Sequence, residues 1–162
     1  MEQALKSLVA SIKNSYVFLD IASTDKRATI HELISKAASQ GLAVDPTATA
    51  DEVFSNERSI SSGLGYGVAF PHTDLENLKK EVLIFGTSKN GVAFDSVDKK
   101  PAHLIILFLT PRGADSRYVE HLSLFADLSH LTMYVVMILE SRTEKEFKKR
   151  AIELLKKGGM RL

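Results

Sequence analysis

The sequence predicts an α/β fold: a three-layer α/β/α sandwich with a central mixed sheet flanked by helices. Three observations predict it. The run Leu104-Ile105-Ile106-Leu107-Phe108-Leu109-Thr110 is apolar at every position but the last, so both of its faces need cover, as in a central strand. Ile30, Leu33, Ile34, Ala37 and Ala38 recur at helical spacing and give one buried face. Short apolar runs and helix-length segments share one chain, the pattern of helices packed on a covered sheet.

Taken in order, Tyr16 to Asp20 reads as a short strand. Ser23 and Thr24 offer N-caps for a helix running to about Gln40, with Gly41 as its stop. Asp45-Pro46 pairs a cap with a first-turn proline and opens a second, shorter helix towards Asn56. A glycine-rich loop then leads into a brief strand at Val68–Phe70. Glu81 to Thr87 and Leu104 to Thr110 are the next strands, with turns at Asn90-Gly91 and Asp98-Lys99-Lys100-Pro101 around an extra strand at Val92–Phe94. Pro111 closes the last strand. A helix follows Asp115-Ser116 through about Ser129, and Leu131 to Glu140 reads as helix although its periodicity is ambiguous. Ser141-Arg142-Thr143-Glu144 reads as a capping box for a final amphipathic helix ending near Gly158.

The chain of 162 residues is read as one domain, 1–162. Its net charge of +1, with Lys and Arg dispersed, argues against a nucleic-acid or membrane-surface protein. Cysteine is absent, which excludes disulfides, thiolate metal sites and cysteine nucleophiles. The opening MEQALKSLVASIKNSYVF lacks the layout of a secretory signal, and LIILFL and YVVMIL are too short to span a bilayer. These features predict a cytoplasmic domain without membrane insertion.

The stretch Gly63-Leu64-Gly65-Tyr66-Gly67-Val68-Ala69-Phe70-Pro71-His72 concentrates backbone freedom just before one imidazole. A nucleotide reading fails on context. The run lacks the Lys-Ser/Thr of a P-loop, its spacing is not G-x-G-x-x-G, and it precedes a strand where a dinucleotide loop follows one. What remains is a flexible loop, or a place where another backbone or a phosphoryl group comes close to bare N–H groups. Taken alone, His72 is a loop or strand-end imidazole. His121 shares a helical face with Leu124, Phe125 and Leu128 and reads as a semi-buried core histidine. No i, i+4 histidine pair or nearby carboxylate cluster supports a metal site. His31, His103 and His130 read as structural or surface residues.

GLGYGVAFPH resembles the active-site signature of the type-2 IIA domains of the bacterial sugar phosphotransferase system, the fructose–mannitol components and their nitrogen-regulatory relatives. GVAFDSVDKKPAHLIILFLTP is similar to that family's next strand pair, and HLSLFADL to its helix with a second histidine, so the resemblance covers nearly the whole chain. It implies phosphohistidine chemistry. His72 matches the histidine that accepts a phosphoryl group from the histidine phosphocarrier protein, and a IIB domain or a regulatory target is the onward partner. A neutral imidazole is a competent nucleophile once its other nitrogen is tied down, so Nε2 is expected to react while Nδ1–H donates to a backbone carbonyl. The resemblance places His121 beside it as a donor to phosphoryl oxygens. No metal or cofactor is implied.

One departure stands out. The family usually carries Arg-Glu ahead of the glycines, where this chain has Asn56-Glu57, with Arg58 two residues beyond the expected arginine. Arg58 is read either as a replacement cation for the phosphoryl group or as a solvated charge. Ser62 stands where threonine is frequent and keeps the hydroxyl. The resemblance implies a phosphotransferase component. No appended IIB or IIC segment is present, which favours the nitrogen-regulatory type over a sugar-specific IIA component. A third reading is a degenerate, binding-only regulator.

Overall fold

The computed structural model describes residues 2–59, 62–113, 117–129 and 132–159. The doubly apolar run becomes β6 (Ala102–Pro111), and the sheet is organised around it. On one side it pairs antiparallel with β5 (Val82–Val92), which pairs parallel with β1 (Tyr16–Phe18). On its other side β3 (Val68–Ala69) and β4 (His72–Leu75) both run parallel to it, and β2 (Gly63–Gly65) closes that edge antiparallel to β3. The mixed sheet has six strands in the order β1-β5-β6-β3-β2, with β4 attached to β6 beyond β3.

Strand alternation divides the core in two. Ala102, Ile105, Leu107 and Leu109 face α2 (Lys26–Ser39) and α3 (Pro46–Ser59), meeting Ile30, Leu33, Ile34, Ala50 and Val53. Leu104, Ile106 and Phe108 face α1 (Glu2–Lys13), α4 (Arg117–Ser129), α5 (Thr132–Leu139) and α6 (Glu144–Gly159), meeting Leu8, Ile12, Phe125, Val135, Phe147 and Leu155. Each large buried side chain contributes about 1.5–3 kcal/mol. A one-residue slip of β6 would exchange its two faces, so the register is strongly held. This is the expected three-layer architecture. No helix among the described residues is long and apolar enough to cross a membrane.

Several local expectations need correcting. The first helix, α1, was not among those expected; Leu5, Leu8 and Ile12 pack it on the sheet. β1 stops at Phe18, because Asp20 takes a left-handed φ of 53° and Ile21 N–H turns to the carbonyl of Thr87. The cap of α2 is Asp25, whose carboxylate accepts from Ala28 N–H at 2.9 Å, while Ser23 donates its hydroxyl and N–H to Glu32. Asp45 caps α3 as expected, but the helix runs on past Asn56 to Ser59. No separate strand forms at Val92–Phe94: β5 continues through Asn90-Gly91 to Val92 with a register shift, and Ala93 makes only an isolated bridge to Asp25. β4 was not expected, its sequence HTDL being largely polar. At α6 the capping pair is displaced: Thr143 accepts from Glu146 N–H, and the Glu146 carboxylate reaches back to Arg142 N–H. Asp115, Ser116, His130 and Leu131 lie outside the described residues.

The glycine run forms the β2–β3 hairpin. Gly65, Tyr66 and Gly67 all have positive φ (87°, 56° and 76°), which only glycine adopts without cost at the flanking positions. The carbonyl of Gly67 accepts from the N–H groups of both His103 and Leu104, at 2.8 and 3.0 Å, joining the hairpin to the start of β6. Gly63 is needed for a different reason. A Cβ there would lie 2.8 Å from both the Phe94 carbonyl oxygen and Ser96 Cα. Gly63→Ala is therefore expected to lower unfolding stability by about 1–3 kcal/mol, the usual cost of overpacking against backbone. Urea denaturation checks this; an unchanged midpoint would mean the 94–96 segment yields freely.

Candidate active site

The line from Val68 to Leu75 lies beside β6 in one uninterrupted register, although Pro71 divides it into β3 and β4. Val68 faces Leu104 and Ala69 faces Ile105; beyond the proline, His72 faces Phe108 and Thr73 faces Leu109 at the same offset. Proline supplies no N–H, but its carbonyl accepts from Phe108 N–H at 2.9 Å and carries the ladder across the gap. Paired residues of a parallel ladder share a face. His72 therefore lies on the Phe108 side of the sheet, the side covered by α4, and Thr73 is buried on the other.

The imidazole of His72 is half-buried. Its Nδ1 stands 3.2 Å from the carbonyl oxygen of Phe70. With Nδ1–H donated to that carbonyl, the ring's lone pair is on Nε2. The backbone is held as well: Asn56, in α3, donates its side-chain amide to the carbonyl of His72 at 3.0 Å. The next residue, Glu57, is buried, accepts from Ser62 N–H at 3.0 Å and pairs with Lys26 at 3.3 Å. Asn56 and Glu57 thus tie the end of α3 to the segment that enters the histidine.

His121 comes from α4 and is fully buried. Its Nδ1 lies 2.8 Å from Glu81 Oε1, and the other oxygen of Glu81 accepts from Ser11 of α1 at 3.1 Å. Its Nε2 is buried and makes no hydrogen bond among the described residues. One turn further along α4, the Phe125 ring sits 5.9 Å from that of Phe70, 6.0 Å from Phe108 and 6.1 Å from Phe85. This aromatic cluster fixes α4 over the part of the sheet that carries His72, so the two histidines occupy the same layer.

The remaining expected residues are placed as follows. Arg58 lies in the last turn of α3, and its side chain is outside the described residues. Arg112, which the sequence did not single out, lies beside the end of β4 and is engaged by Glu76, Asp74 and Glu52. His31 pairs with Asp51, and His103 contacts the Ser88 carbonyl. The glycines approach backbone, at the hairpin and at the 94–96 segment, as described above. Glu81 and Ser11 were missed by sequence reasoning. An acidic residue just before an apolar strand is a visible oddity, but nothing local names a partner 40 residues away. Asn56 was read only as a lost arginine, whereas it is a donor to the His72 backbone.

The family described as phosphoenolpyruvate-dependent sugar phosphotransferase system, EIIA 2, matches residues 10–153. The fructose-specific EIIABC component of Bacillus subtilis is 30% identical over 126 residues, which make up 78% of this chain but only 20% of that protein. The crystal structure of nitrogen regulatory protein IIA-Ntr from Neisseria meningitidis is similar with a TM-score of 0.67 at 26% identity, over 85% of this chain and 92% of that one. The mannitol IIA enzyme of Escherichia coli, in its complex with phosphorylated IIB, shares the fold with a TM-score of 0.61 at 18% identity, over 87% of this chain and 94% of that one. With the match extending from residue 10 to residue 153, the chain belongs to the EIIA type-2 family of the phosphoenolpyruvate-dependent sugar phosphotransferase system.

Proposed function

We propose that His72 accepts a phosphoryl group on Nε2 from the histidine phosphocarrier protein, which makes the chain a phosphotransferase component with a phosphohistidine intermediate. The contact between His72 Nδ1 and the Phe70 carbonyl carries this reading. It holds one tautomer, so the Nε2 lone pair is directed at the incoming phosphorus. As the P–Nε2 bond forms, the P–N bond to the donor's ring breaks and its electron pair returns to that ring. The Phe70 carbonyl steadies the positive charge that develops on the His72 imidazole while it holds Nδ1–H. His121 is the proposed donor to the phosphoryl oxygens. Membership of the family supports group transfer as the reaction class.

The relatives offer two fates for the phosphoryl group. The first is the nitrogen-regulatory type, in which phosphorylation changes the target that is bound; the similarity to IIA-Ntr supports it. The second is delivery to a IIB domain, supported by the fructose-specific relative and by the mannitol IIA–IIB complex. A phosphorylated sample mixed with a fructose- or mannitol-type IIB domain separates them: loss of label from this chain to IIB favours delivery, and retention favours regulation.

Incubated with phosphoenolpyruvate, enzyme I and the phosphocarrier, the wild-type chain is expected to gain an acid-labile phosphoryl adduct, and His72→Ala none. Undiminished labelling of His72→Ala would move the nucleophile elsewhere.

Asn56 gives a second test. Asn56→Ala removes the amide that donates to the His72 carbonyl without adding charge. A lost hydrogen bond of about 0.5–1.5 kcal/mol corresponds to a rate of acceptance about two- to twelvefold lower, if the bond is fully formed in the transition state. Rapid-quench kinetics measure this, and a wild-type rate in a folded Asn56→Ala protein would make the bond incidental.

A further inference from the structure

Glu81 decides what His121 is able to donate. The Glu81 carboxylate accepts from Ser11 on one oxygen and meets His121 Nδ1 on the other, with the histidine side chain fully buried and the glutamate 12% exposed. One proton is therefore shared between Glu81 Oε1 and His121 Nδ1. With that proton alone, Nε2 of His121 either carries a lone pair, or carries the proton at the expense of the Glu81 contact. A lone pair on Nε2 repels a phosphoryl oxygen. Donation from Nε2 with Nδ1–H still held by Glu81 needs a second proton in the pair. Nε2 is also the atom whose hydrogen-bonding capacity is unmet among the described residues.

We infer that phosphorylation of His72 is coupled to the uptake of one proton from solvent by the Glu81–His121 pair, with Glu81 acting as the positioning residue that makes His121 a cationic donor. The inference rests on His72 being the phosphoryl acceptor. A phosphoryl group adds about −1.5 to −2 charges. The pair has a net charge of −1 with one proton and 0 with two, so the second proton removes a repulsion and supplies a donor together. The need is sharpened at Asn56, which is neutral where the family resemblance leads one to expect an arginine.

Among the described residues, α1, α5 and α6 bring Leu8 and Ile12, Val135, and Phe147 and Ala151 to this side, and α1 also brings Ser11 to Glu81. From the sheet, His72 lies on the same face as the pair. Asp74, two residues along β4, is exposed and bound to Arg112, and Glu120, on α4 itself, is exposed.

The test uses the full chain labelled with ¹⁵N-histidine, before and after phosphorylation. In the unphosphorylated protein, Glu81→Gln is expected to make double protonation of His121 harder, because an opposite charge in contact is lost. In the phosphorylated wild type, both ring nitrogens of His121 are expected to carry protons at a pH where the unphosphorylated ring is neutral. The rate of acceptance should fall as pH rises through this titration. That limb should move to lower pH in Glu81→Gln and vanish in His121→Gln, whose amide donates without titrating. A His121 with the same protonation in both forms overturns the inference, as does a Glu81→Gln protein with an unshifted limb. If Glu81→Gln does not fold, a wild-type limb retained by His121→Gln overturns it instead. Absence of label at His72 defeats the proposed function itself, whereas a labelled His72 beside a His121 that gains no proton defeats only the coupling.

Discussion

The hydrogen bond from Phe108 N–H to the Pro71 carbonyl holds the candidate site in register. Proline removes one donor from the segment beside β6, and a register slip at that point would turn His72 to the opposite face of the sheet. The ladder closes over the gap, and residues on either side of Pro71 keep the same offset from their partners. His72 consequently shares a face with Phe70 and Phe108. The rings of both approach Phe125, so the packing that anchors α4 also brings His121 to the layer of His72. Core packing and site geometry are one construction here: a change in the aromatic cluster would be felt at the histidines.

The glycines serve that construction at a distance. Gly65 and Gly67 make the hairpin turn, Gly67 bonds to the first residues of β6, and Gly63 lets the 94–96 segment pass at backbone contact. Their concentration before His72 comes from seating a short, sharply turned hairpin on the edge of β6. The fine placement of the histidine comes from its other neighbours: the Phe70 carbonyl on the ring, Asn56 on the backbone, and the buried Glu57–Lys26 pair behind Ser62.

Much of the fold was legible because its signals are local. The doubly apolar β6 had to be a covered central strand, and the faces of α2 and α6 follow from spacing within each segment. The misses have physical reasons. Leu5, Leu8 and Ile12 do carry an amphipathic spacing, and it is their packing on the sheet that holds α1. β4 is a polar edge strand whose existence depends on pairing with β6, and its own residues HTDL do not announce it. The cap of α2 went to Asp25 because Ser23 found a better partner in Glu32, a choice made across nine residues. At the site, His72 stood out through the motif around it, and His121 through its helix. Glu81 did not, since its contact is with His121 on a helix 40 residues away. Asn56 was misjudged because a comparison of residue types sees a missing charge and not a new hydrogen bond.

The central claim is that the fold presents one defined nitrogen, Nε2 of His72, for phosphoryl transfer. Phosphorus–nitrogen correlation in the NMR spectrum of the phosphorylated, ¹⁵N-histidine-labelled chain tests it most directly. The account predicts a single phosphorus coupled to Nε2 of His72, with Nδ1 still bonded to the Phe70 carbonyl. Phosphorus on Nδ1 of His72, or on His121, would contradict it.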